Sequence, residues 1–337
     1  MVEATTLVSP RSSWFAATVG ALALACVVVF LSLCFGSVDV PALRIPGILL
    51  HGGDDTAARV VLELRLPRGL AAFTVGGMLA LAGALMQVLL RNPLAEPYVL
   101  GVSGGAAVFA LLAMTAGLAG VAIQGSALCG ALLSIVLVFA LARSCGEWNP
   151  LRVLLTGVVV AAGWGALTAL LLVVSPAAQV QGMLFWLMGD LSGARQVSGA
   201  ALVLLVGLAI AVLFARSLNL LAHGEQSAAA LGVNVVRLRY GIYFLASGLT
   251  AVAVTLAGGI GFVGLVVPHL VRLKLGGDHR VVLPVAVLVG GSLLVAADTL
   301  ARTLFAPQQL PVGVLTALIG VPLFLFLLRS AAVRQTP

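Results

Sequence analysis

Long apolar runs separated by short polar breaks make up nearly the whole chain. The runs are continuous, neither alternating nor confined to one face. A helix needs about 20 such residues to cross a bilayer core. Only helices and closed barrels satisfy every backbone group inside lipid. Ten runs are present, at residues 14–35, 67–90, 98–117, 121–142, 151–174, 197–215, 240–257, 260–275, 281–303 and 310–328. The eighth is short and contains Pro268. The pattern predicts an all-α membrane protein, a polytopic bundle of about ten transmembrane helices in one domain over residues 1–337. A secretory leader is the competing reading of the first run. Its apolar region would be about 7–15 residues, and this run continues past the LALAC that ends at Cys26.

The breaks carry the remaining information. Residues 36–66 are polar and mixed. RNPLAEP at 91–97 places Pro93 and Pro97 between two runs, with Asn92 available to bond freed backbone groups. Residues 175–196 predict a short interfacial helix with Phe185 and Trp186 at the lipid boundary. The stretch 216–240 is a long polar interruption around GEQSAAALG. It reads as a short helix that starts at Gly224 and Glu225 and closes at Gly232, with Glu225 suited to the positive end of the helix dipole.

Composition agrees. The chain is 61% hydrophobic and 9% charged, with mean hydropathy +1.19, against about 25% charged in soluble domains. The formal charge of +7 would suggest nucleic acid in a soluble protein. Here it is assigned to loop arginines and anionic lipid, and no nucleic-acid partner is expected. With ten crossings both termini share one side. Arg44, Arg59, Arg65, Arg68, Arg195 and Arg302 then lie on the other, and the remaining twelve of the 18 Lys and Arg lie with the termini. The positive-inside rule makes that side the cytoplasm. The loop at 216–240 is therefore expected in the cytosol.

Candidate chemistry is sparse. Lys274 is the only lysine and sits outside any GxxxxGK[ST] loop, so this chain is no P-loop ATPase. Cys26, Cys34, Cys129 and Cys145 form no CxxC and read as packing residues. The four histidines are scattered, so no metal site is expected. Asp298 lies one turn before Arg302, which suggests an i,i+4 ion pair ahead of a proton relay. GVSG at 101–104 matches the GxSG of rhomboid-type intramembrane proteases, with His269 or His279 as conceivable bases. The same residues put Gly101 and Gly105 in GxxxG spacing, and close helix packing is the favoured reading.

Several long stretches, in order, resemble the FecCD permease family. They are RLPR at 65–68, GALMQVLLRNPLAEPYVLGVSGGA, GEQSAAALG, GFVGLVVPHLVR at 261–272 and the D-HR-L-P pattern from Asp278 to Pro284. The resemblance runs from about Leu64 to Leu328. It implies a type II ABC importer permease fold for iron–siderophores, haem or vitamin B12. The implied assembly has a second copy of the chain (or a fused one), two cytoplasmic ABC ATPase subunits and a periplasmic substrate-binding protein. It also implies that ATP and Mg act on the ATPase, with no cofactor and no catalytic residue on this chain. Leu221, Gly224, Glu225, Ala228, Leu231 and Gly232 would form the coupling helix. Arg65, Arg68 and Arg302 would meet carboxylates of the binding protein. The fifth run, with Thr156, Thr168 and Ser175, would line the pathway at the dimer axis. An ion-coupled secondary transporter is the other alternative, and the lack of an intramembrane carboxylate array counts against it.

Overall fold

A computed structural model describes the backbone of residues 10–36, 38–144, 149–194 and 197–333. The side chains of Arg11 and Arg329, together with Cys145, Arg195 and Arg334, lie outside what is described. Every apolar run becomes helical. In chain order the helices are α1 (Pro10–Cys34), α2 (Ile45–His51), α3 (Thr56–Arg59), α4 (Leu66–Leu89), α5 (Val102–Thr115), α6 (Val121–Ser144), α7 (Pro150–Val174), α8 (Ala177–Leu187), α9 (Ser198–Leu213), α10 (Ala215–Ala222), α11 (Glu225–Ala230), α12 (Val235–Ala257), α13 (Val263–Leu275), α14 (His279–Thr303) and α15 (Val312–Val333). The described residues contain no strand.

Polar side chains set several starts. Asp55, Asn149, Asn234 and Asp278 each accept a backbone N–H from the first turn of α3, α7, α12 and α14. A π-helical stretch, Val60–Arg65, joins α3 to α4 and makes one helix over Thr56–Leu89. It lies immediately before Pro67, whose ring would otherwise meet the carbonyl four residues back.

Among the described residues, six helices are long and apolar enough to cross a membrane. Counting α9 and α10 as one broken span, bent by 60°, makes seven. The runs at 98–117 and 260–275 hold shorter helices than their lengths suggested. α5 has 14 residues and α13 has 13, which rise only about 20 Å each. A 3-10 turn, Pro97–Leu100, consumes the start of the first run. Non-helical backbone around Phe262, at φ 69, consumes the start of the second.

α4 is the buried centre of the bundle. It packs on α14, α12 and α13, while α1 lies along α14. Small residues allow this. A methyl group at Gly76 would overlap the Gly290 carbonyl of α14, and one at Gly83 would overlap the Gly264 carbonyl of α13. Without a hydrophobic force between helices in lipid, such close backbone approach supplies dispersion contact. α5, α6 and α7 form a second group. Gly105 of α5 and Gly130 of α6 meet backbone to backbone. Tyr243 of α12 ties the two groups by donating its hydroxyl to Ile135 O at 2.8 Å. A small separate core of Leu33, Val40, Ile45, Ile48, Ala58 and Val61 closes the α2–α3 end.

Candidate coupling and docking surfaces

At the end of the bundle opposite α2 and α3, α10 and α11 form a helical elbow between α9 and α12. α10 buries Ala215, Leu218 and Leu221, and α11 buries Ala228. Leu221 and Ala228 therefore hold the loop to the bundle. Gln226, Ser227, Ala229, Ala230, Leu231 and Gly232 are exposed, and Leu231 is bare over 67% of its surface. Gly224 (φ 128) and Gly232 (φ 83) bracket α11 in conformations that disfavour a side chain. Glu225 bridges to Arg239 of α12 and lies 4.0 Å from Arg91. Its carboxylate is thus spent inside the chain, clamping α11 to the bundle.

α10 is also fixed to the start of α14. Asn219 Nδ2 donates to Asp278 Oδ1 at 2.8 Å, and Asn219 Oδ1 accepts from His279 N at 2.9 Å. His279 Nδ1 lies 2.6 Å from the same oxygen and must carry the proton there. Burial pushes the Asp278 carboxyl up, but bonds from Asn219 and Arg280 N, with the charges of Arg280 and His279, more than offset it. Its pKa is lowered overall.

Beneath the loop runs the proline break. Arg91 takes φ 48, and Asn92 Oδ1 accepts from Leu94 N at 2.9 Å. Two side chains then reach the irregular start of α13. Glu96 Oε1 accepts from Phe262 N and the Tyr98 hydroxyl accepts from Ile260 N, both at 2.9 Å. Gln87 of α4 serves the next turn. Pro268 has no N–H for the Gly264 carbonyl, and Gln87 Nε2 donates to Leu265 O at 3.1 Å and Gly264 O at 3.4 Å. Gln87 Oε1 accepts from Arg272. The sequence reading missed Gln87, although an amide inside an apolar run was its signal.

α7 is the least covered long helix. Only 6% of its most apolar stretch is buried. Thr156 and Thr168 are half-buried, and the Thr168 hydroxyl donates to Trp164 O at 2.9 Å. Ser175 is buried, donates to Leu171 O at 2.6 Å and lies 3.4 Å from Thr115 Oγ1. It closes α7 against α5 and offers nothing to an open wall. Among the α7 glycines, Gly157 packs on Val99 O, whereas Gly163 and Gly165 face open space. α8 follows as a helix, as its aromatic pair suggested, with Phe185 and Trp186 half-buried.

At the α2–α3 end the three arginines expected at a docking surface turn inward. Arg65 donates to Leu33 O at 2.7 Å, to Cys34 O at 3.0 Å and to Val38 O. Arg302 donates to Ser32 O. The Ser32, Leu33 and Cys34 carbonyls end α1, where they have no helical partners and the helix dipole is negative, and Val38 lies in the loop beyond. Arg68 grips Asp298 with Nε and Nη2 at 2.8–3.0 Å and reaches the exposed Gln309 at 2.8 Å. Asp298 also meets Arg302 at 3.7 Å, the i,i+4 pair read from the sequence. Arg65 and Arg302 are buried, and Arg68 keeps 14% of its side chain exposed. Glu63, two residues before Arg65, is exposed.

Other chemistry finds no geometry. Gly104 packs on Trp164 and Gly105 on Gly130, so GVSG is a helix contact. His279 is committed to Asn219. Asp298 is bound by two arginines. Cys26, Cys34 and Cys129 are free thiols. No His, Cys, Asp or Glu cluster suited to a metal occurs among the described residues.

A buried α4, a broken α13 entry and an exposed two-helix loop define a permease fold of the type II ABC importer class. The FecCD transport family model matches residues 22–330, and the chain belongs to that family. It is 45% identical to the cobalamin import system permease protein BtuC of Halobacterium salinarum over 89% of this chain and 82% of that one. It is 40% identical to the hemin transport system permease protein HmuU of Yersinia pestis, over 88% and 91%. Among solved structures, an inward-facing ABC transporter of the metal-chelate type superposes with a TM-score of 0.82 at 32% identity. That match covers 93% of this chain and 98% of the other.

Proposed function

We propose that this chain is the membrane-spanning subunit of an importer that carries a corrinoid, haem or another iron chelate into the cytoplasm, driven by ATP hydrolysis on two separate ABC ATPase subunits. The observation that carries this reading is α11. It is a short helix outside the bundle, clamped by Glu225 to Arg91 and Arg239, with small residues and Leu231 left bare on its outer side. Such a helix fits a groove in a partner, and its clamps transmit displacement to α12 and to the proline break. Through Glu96 and Tyr98 that break holds the start of α13.

In this reading α11 and both termini face the cytoplasm. A second copy of the chain covers α7, and the two α7 helices flank the pathway. A periplasmic binding protein seats on the α2–α3 end. Arg68 and the exposed Arg44–Asp55 pair meet it, while Arg65 and Arg302 position that surface by holding α1. ATP and Mg stay on the ATPase. No observation favours a GxSG protease or an ion-coupled carrier.

Purification in mild detergent followed by an open pull-down tests the class. An ABC ATPase recovered at equal stoichiometry is the expected result, and a chain that transports alone would overturn it. Ligand-stimulated ATPase activity with cobalamin, haem and a ferric siderophore, each with its binding protein, then selects the substrate.

A further inference from the structure

An apolar cavity opens beside the coupling loop. It has a volume of about 440 Å³ and lies where α9 bends into α10 and passes α12. This falls within the roughly 300–1,000 Å³ of small-ligand sites. Leu85, Ile210, Phe214, Ile242 and Leu245 give it apolar walls, and Ser217, Asn234 and Arg237 supply polar groups. No carboxylate lines it. The Arg237 side chain makes no ion pair among the described residues, and exposed Arg216 sits beside Ser217 in sequence. The exposed apolar face of α9, including Leu205, Ile210, Leu213 and Phe214, runs up to the cavity.

We propose that this cavity is a binding site for one anionic phospholipid. An acyl chain enters between α9 and α12, and the phosphate engages Arg237 with Ser217, Arg216 adding attraction. The apolar walls continue the lipid-facing surface of α9, and the charge at the site is purely positive. A lone cationic side chain beside an apolar slot at a helix end suits a headgroup, because basic residues near a cytoplasmic surface draw anionic lipid. Gly232, Val233 and Asn234 connect the coupling loop to α12 and also line the cavity. Lipid occupancy therefore bears on the hinge of α11. Only the choice of leaflet rests on the orientation proposed above.

The test uses the full-length chain in nanodiscs with photoactivatable acyl chains on phosphatidylglycerol or phosphatidylcholine. Peptide mapping should place phosphatidylglycerol adducts on residues 210–218 and 232–245, at least fivefold over phosphatidylcholine. Arg216→Gln with Arg237→Gln should abolish that preference. Gly241→Phe should lower labelling by both lipids, since Gly241 lines the cavity and a Cβ there has no atom within 4 Å. Gel filtration and thermal melting report whether each variant remains folded. Equal labelling by both lipids, or a preference that survives the double substitution in a folded protein, would refute the proposal. Displacement of the label by inorganic phosphate would reassign the site to a free anion. Protection by added ATPase in place of lipid labelling would make it part of a protein interface.

Discussion

Single residues decide how irregular backbone survives inside this bundle. Gln87 is one of them. Replacing it by Leu removes the donor to the Gly264 and Leu265 carbonyls and the acceptor for Arg272. The expected cost is about 1–3 kcal/mol, read as a lower melting temperature in detergent with unchanged helix content. Asp298 is another. Asp298→Asn leaves Arg68 and Arg302 without their counter-charge, for a loss of about 3–5 kcal/mol. Uptake by the surviving folded protein should keep its pH profile, whereas a proton relay at Asp298 would shift it. The sequence exposed half of this site. The spacing of Asp298 and Arg302 announced an ion pair, because helical neighbours are four residues apart. Arg68 lies 230 positions away, and no local pattern reports that distance.

At the scale of elements, apolar runs identified the helices well and their ends poorly. Hydropathy is blind to backbone conformation. It could not see that Phe262 turns left-handed or that the 3-10 turn at Pro97–Leu100 displaces the start of α5. The loop helix was legible because its glycines and acidic start are local signals. Its inward clamp was not, since Arg91 and Arg239 come from other elements. Glu225→Arg would set a third cation against those two. We expect uptake and ATPase association to fall together while the chain still elutes as a folded species. Normal uptake would make α11 a mere linker. The cap of α14 gives a pH prediction. Asp278 has a lowered folded pKa, so its contribution is complete above the unfolded value of about 3.9 and disappears as pH falls through the lower folded value. Hydrogen exchange at the start of α14 should stay slow in mild acid and accelerate only below the ordinary carboxylate range. Asp278→Ala should exchange fast throughout.

For the whole molecule, composition announced a membrane bundle but not which helix is central. α4 and α7 are both long and apolar, yet one is the buried axis and the other is nearly bare. The difference lies in partners. Gly76 and Gly83 find backbones to pack on, while Gly163 and Gly165 find none within the chain. A second copy is the proposed cover for α7. Val159, 71% exposed, supplies the check. Val159→Cys in a background with Cys26, Cys34, Cys129 and Cys145 replaced by Ser should yield a disulfide-linked dimer in membranes on mild oxidation. Leu205→Cys, on α9, should not. Dimers from the α9 position alone would move the symmetry axis.

The arginines at the end of α1 have a consequence for the order of synthesis. α1 leaves the ribosome well before α14, so the carbonyl of Ser32 waits for a guanidinium 270 residues later, on Arg302. At about 5–20 residues per second, that interval is on the order of tens of seconds. Until then the first helix holds one end only through Arg65, from the neighbouring hairpin, or through interfacial water. Ribosomes stalled before and after residue 302 should therefore differ in how readily a thiol reagent reaches a cysteine placed at Ser32, with protection arriving only once α14 has entered the membrane.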